Sequence, residues 1–138
     1  MNQLNLSLMI ADLKNARLYL LRLHKALLEY EKSRYELQHG RINTTGEYYN
    51  LVINHEQFAW LRTMSQLIVE IDEALDAKKE PLTEETVINL AQQTSRMIVT
   101  NAETEFSRKY DAGLQNSPDA MFEHIKLIKE LAKFKNEI

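Results

Sequence analysis

The chain has no cysteine, only two prolines and only three glycines among its 138 residues. The missing thiols exclude disulfides, thiolate zinc sites, iron–sulfur ligation and cysteine nucleophiles together, and they fit a reducing cytoplasm. So few prolines and glycines mean few turns and long elements, which excludes a β-sandwich or barrel. No stretch approaches the roughly 18 apolar residues of a membrane span. The apolar run from Leu6 to Ala11 is closed by Asp12 and Lys14, so a secretory leader is not expected. A net charge of −3 is too small, and of the wrong sign, for a general nucleic-acid binder.

What is present is a heptad ladder. Leu6, Leu13, Leu20 and Leu27 fall seven apart, with Met9, Ala16, Leu23, Tyr30 and Leu37 interleaved, and no proline or glycine interrupts them before Gly40. This spacing predicts one helix of about 30 residues, Ser7 to His39, with an apolar stripe buried against other helices. Gly40 is placed to end it as the residue beyond the C-cap. The loop GRINTTG follows, and Thr45 is expected to cap a short helix to Asn54.

From Glu56 to Ala77 the residues Phe58, Leu61, Met64, Ile68, Ile71 and Leu75 recur at helical spacing, with a break foreseen near His55. Lys78 to Leu82 (KKEPL) reads as a connector, since Pro81 disfavours helix at Glu80. Thr83, followed by Glu84 and Glu85, reads as an N-cap with acids suited to the helix dipole. Its helix carries Val87, Ala91, Thr94, Ile98, Ala102 and Phe106 and is expected to run to Ala112, with Gly113 past its end. Ser117, Pro118 and Asp119 open a last helix, whose expected core face is Met121, Ile125, Ile128, Leu131 or Ala132, and Phe134. The expectation is an all-α fold: a single domain spanning residues 1–138, an up-down-up-down four-helix bundle with one extra short helix.

Charge is uneven: residues 1–46 sum to +3, residues 47–90 to −6 and residues 91–138 to zero. The acids Glu70, Asp72, Glu73, Asp76, Glu80, Glu84 and Glu85 read first as a solvated helix end, and second as a docking patch for a basic partner. Chemistry-bearing patterns are sparse. There is no glycine-rich phosphate loop, and neighbours such as Asp72 and Glu73 point to different helix faces. Di-metal helical bundles use two Glu-x-x-His motifs; here Glu36 and His39 form one copy, so no metal and no cofactor is expected. His24 and His124 lie beside core stripes and read as hydrogen-bonded boundary residues. Tyr48, Tyr49, Phe58 and Trp60 form the densest aromatic region. They read as core-edge packing or, alternatively, as an interaction surface.

Two resemblances follow from particular residues. Arg34 and His39 form R-x-x-x-x-H (RYELQH), a spacing that resembles the catalytic motif of HEPN ribonucleases. The resemblance implies an Arg and a His acting on a scissile phosphate across a dimer interface. The segment FAWLRTMSQLIVEIDEAL resembles a group of small bacterial all-helical proteins of unknown function with an F-A-W-L-R-x-x-S-x-L-I-V-x-x-D-E stretch after a long first helix. Thr63 stands where that group has proline, which implies a turn near Arg62 in relatives and continuous helix here. This resemblance implies a cytoplasmic bacterial protein and no chemistry.

The reading that fits these features is a cytoplasmic interaction or structural module, more a binding protein than an enzyme, that pairs as a homodimer or takes an unidentified protein partner, without nucleic acid or membrane. Leu18, Leu21 and Leu28 are surplus to the main stripe of the first helix and motivate self-association. The alternative is a ribonuclease-like or small-ligand-binding protein that uses Arg34 and His39.

Overall fold

The computed structural model describes residues 3–76, 80–100 and 103–135. Ala77 at the end of the expected segment from Glu56, Lys78 and Lys79 of the expected connector, and Ala102 of the expected helix after Thr83 lie outside the described residues. Among the described residues, six α-helices run in the order α1 Gln3–His39, α2 Thr45–Asn54, α3 Arg62–Leu75, α4 Glu84–Met97, α5 Glu105–Asn116 and α6 Pro118–Leu131. Short 3-10 turns precede α3 (Glu56–Leu61) and follow α6 (Ala132–Phe134). Among the described residues there is no strand.

The heptad ladder forms the axis of the fold. Leu13, Leu20, Leu23 and Leu27 are fully buried, and Ala16 nearly so. Each such leucine contributes about 1.5–3 kcal/mol by leaving water. The ladder ends before its sequence pattern does, since Leu37 is 87% exposed. Gly40 closes α1 with φ +88°, and its N–H donates to the Glu36 carbonyl.

Neighbours pack on α1 in antiparallel register. Against α3 and the turn before it, Arg17 pairs with Asp72 at 3.1 Å, His24 meets Ser65 and Glu31 meets Trp60. Against α6, Asp12 pairs with Lys133 at 3.6 Å, and Lys126 lies over the Tyr19 ring. A cluster of apolar side chains from α1, α3, α4, α5 and α6 fills the space between them.

Several boundaries differ from the sequence expectation, and α1 begins at Gln3 rather than Ser7. Thr44, not Thr45, caps α2, its Oγ1 accepting the Glu47 N–H at 3.1 Å, while the Glu47 carboxylate accepts the Asn43 N–H. At His55 the foreseen break is present, and its Nδ1 accepts the Gln57 N–H. The segment after it starts as a 3-10 turn rather than continuous α-helix. Tighter winding brings residues three apart into line, so Phe58 and Leu61 both point inward and Trp60 joins them.

The expected helix from Thr83 to Ala112 is instead two helices. α4 stops at Met97, and a new N-cap, Thr104, accepts the Ser107 N–H and starts α5. The Ser107 hydroxyl donates to the Val99 carbonyl and ties the loop down. Gly113 lies inside α5 rather than past its end. A Cβ there would come within 2.6 Å of Leu27 Cδ2, so glycine lets α5 approach α1.

The last helix is rotated by one residue. Its buried face is Ala120, His124, Leu127 and Leu131, while Ile125 and Ile128 are each 46% exposed. Small Ala120 and the hydrogen-bonded His124 select this face over the more hydrophobic alternative.

Candidate functional site

Glu31 is the most unusual group in the interior. It lies four residues after Leu27 on α1 and is 2% exposed. One carboxylate oxygen accepts the Trp60 indole N–H at 2.9 Å, and the other accepts Arg34 at 2.6 Å. The Gln57 amide donates to the Glu31 backbone carbonyl at 2.9 Å. The 3-10 turn delivers both Trp60 and Gln57 to this point. A buried carboxylate needs such donors, because leaving it unpaired costs several kcal/mol. The Glu31 hydrogen bond in turn holds the Arg34 guanidinium above its ordinary value.

Arg34 and His39 do not converge within one chain. Five residues apart on an α-helix, they point about 140° apart. Arg34 turns to Glu31 and over the Tyr30 ring. His39 turns to Tyr35, ring centroids 4.5 Å apart, and to His55 at 6.2 Å. Glu36 accepts the Ile42 N–H at 2.9 Å. Because His55 Nδ1 accepts a backbone proton, its neutral ring carries hydrogen on Nε2 and presents no lone pair to a cation there. Among the described residues, no three His, Cys, Asp or Glu side chains gather as metal ligands would.

Two further imidazoles are held by hydroxyl groups. His24 Nε2 lies 2.8 Å from Ser65 Oγ, which also donates to the Leu61 carbonyl at 3.2 Å. Whichever atom carries the shared proton, this contact bonds α1 to α3. His124 Nδ1 lies 2.6 Å from the hydroxyl of the fully buried Tyr110. Burial holds both imidazoles below their ordinary value and pushes the Tyr110 phenol well up. A neutral phenol and a neutral imidazole satisfy each other without charge, whichever of them donates.

The four aromatics divide between interior and surface. Phe58 and Trp60 are buried within the chain and are not available as surface, because the Glu31 node and α5 take up Trp60. Tyr48 is half-buried against Phe58, ring centroids 6.3 Å apart, and Tyr49 is 60% exposed. Of the surplus leucines on α1, Leu28 packs on the core, while Leu18 and Leu21 stay exposed.

The largest apolar group left in water on α6 is Phe122, 57% exposed, followed by Ile125 and Ile128. Lys126 Nζ sits 4.0 Å from the Phe122 ring centre and 5.6 Å from that of Tyr19, joining this stripe to the outer side of α1. The sequence pattern assigns Ile125 and Ile128 of this stripe to the core and passes over Phe122.

No described helix is long and apolar enough to cross a membrane. No family model, curated protein or solved structure matches the chain.

Proposed function

We propose that this chain is an interaction or structural module of the bacterial cytoplasm that pairs with a second copy of itself. The observation that carries the reading is the α6 stripe. Phe122, Ile125 and Ile128 are exposed and spaced three apart on either side of Ile125. A two-fold contact uses the same patch on both copies. Antiparallel pairing of α6 about Ile125 sets Ile125 against its own copy and Phe122 against Ile128. Tyr19, which shares Lys126 with Phe122, extends the surface onto α1. A modest net charge gives little electrostatic barrier to pairing.

In architecture we read four columns, up-down-up-down: α1, α3, the α4–α5 pair and α6, with α2 lying at one end. The antiparallel registers of α3 and α6 on α1 support this reading. Against an enzyme stand the divergence of Arg34 and His39 and the use of Arg34 as the counter-ion of Glu31.

Sedimentation equilibrium at micromolar concentration tests the proposal. The expected result is a species of twice 16.2 kDa that Ile125→Asp converts to monomer without loss of helix. The contact should bury at least ~1,000 Å² in total. A 16.2 kDa species that persists as concentration rises overturns it.

A further inference from the structure

A groove of about 530 Å³ lies between α3 and α4 where α5 begins. That volume is within the range of small-molecule sites. Its floor is Leu67, Met97 and Phe106, the last two only partly covered by the rest of the chain. The α3 wall runs from Thr63 to Glu70, about 10 Å at the helical rise, the length of a medium alkyl chain. From α4 comes Arg96, which is exposed and, among the described residues, has no ion-pair or hydrogen-bond partner.

We propose that this groove binds a single-chain carboxylate amphiphile, with Arg96 taking the carboxylate and Leu67, Met97 and Phe106 taking the chain. An unpaired guanidinium beside apolar surface suits this ligand, because its fork of donors matches a carboxylate. Arg96 and Met97 stand at the α4 terminus, beside Thr104 and Phe106. Glu70 stands at the far end of the α3 wall and repels a carboxylate, which orients the ligand with its head at Arg96. The site is separate from the α6 stripe, so it stands or falls independently of self-association.

Trp60 supplies the readout. It is the sole tryptophan, and its ring packs 5.4 Å from that of Phe106, so filling the groove alters its fluorescence. The full chain is titrated below the micellar limit with decanoate, decanol and decyltrimethylammonium. Decanoate should give a saturable change, with affinity at least ~10-fold above that for decanol, and the ammonium compound should give none. Arg96→Gln, at an exposed position, should lower decanoate affinity to the level of decanol and leave decanol unchanged. Three results would each overturn the proposal: equal binding of all three probes, tighter binding of the ammonium compound (which would make Glu70 the anchor), or full decanoate affinity in Arg96→Gln.

Discussion

Among the described residues, replacing Arg34 by Met removes the one cation that meets Glu31 and leaves the carboxylate with the Trp60 N–H alone. The size of the effect follows from where the two charges lie. A solvent-exposed pair three residues apart on a helix is worth only about 0.3–0.5 kcal/mol. A hydrogen bond to a charged group out of water is worth about 1.5–3 kcal/mol. Here Glu31 is 2% exposed but the Arg34 side chain is 51% exposed. Water screens one end, and the expected loss is about 1–2 kcal/mol. In a Glu31→Gln background the amide still accepts from Trp60 and carries no charge, so Arg34→Met should then cost less than ~0.5 kcal/mol. Urea denaturation followed by far-ultraviolet circular dichroism measures all four proteins of this cycle. A coupling energy below ~0.3 kcal/mol would refute the argument, because Trp60 alone would then suffice for the carboxylate.

Leu20→Ala, at a fully buried position on the α1 stripe, should cost about 2–5 kcal/mol through lost transfer energy and a cavity; a loss under ~1 kcal/mol in urea would show that this face is not the core. Gly113→Ala, which gains about 1 kcal/mol at an ordinary helical site, should instead destabilise by roughly 1 kcal/mol because its Cβ meets Leu27; a raised melting temperature would contradict this. Stability should also form a plateau in pH. On the acid side, His24 and His124 are held below the ordinary imidazole value, so the unfolded chain takes up protons first and stability falls as pH drops below about 6.5. On the alkaline side, the Tyr110 phenol is pushed up, so the unfolded chain ionises first and stability falls above about 10. Melting temperatures across pH 4 to 11 check both limbs, and a flat acid limb with either histidine intact would count against the burial argument.

The long first helix and its buried leucines are legible in the sequence because a seven-residue period over four turns of the ladder has one solution. The end of α4 is harder to read because no proline or glycine marks it. The signals there are the β-branched run Ile98, Val99 and Thr100, weak in helix propensity, and Thr104 followed by Glu105, the same cap-and-acid pair as Thr83 and Glu84. The rotation of α6 escapes a local reading for a different reason. Two apolar faces exist on that helix, and the choice between them is made by Tyr110, fourteen residues away. Glu31 is the clearest case of information that sequence spacing does not carry. An acid beside a heptad stripe looks solvated until Trp60, twenty-nine residues on, is brought to it by a 3-10 turn. The Arg34–His39 spacing is present in the chain, yet helical geometry separates the two side chains. The guanidinium of Arg96, unpaired among the described residues, draws attention only once Leu67 and Phe106 stand beside it.

The packing of α6 on α1 also bears on biosynthesis. As the chain leaves the ribosome, Leu13, Leu20, Leu23 and Leu27 emerge well before α6, which begins only at Pro118, about 90 residues later. At about 5–20 residues per second the leucine stripe waits roughly 5–20 s for its last cover. α3 and α4 arrive earlier and shield part of it, but the side bearing Tyr19 and Ala26 stays open until α6 emerges. A nascent helix with an exposed heptad seam is a target for chaperones and for matching helices on neighbouring ribosomes. A chain cut short before Pro118 should therefore be held by chaperones or degraded rather than accumulate as a smaller folded protein.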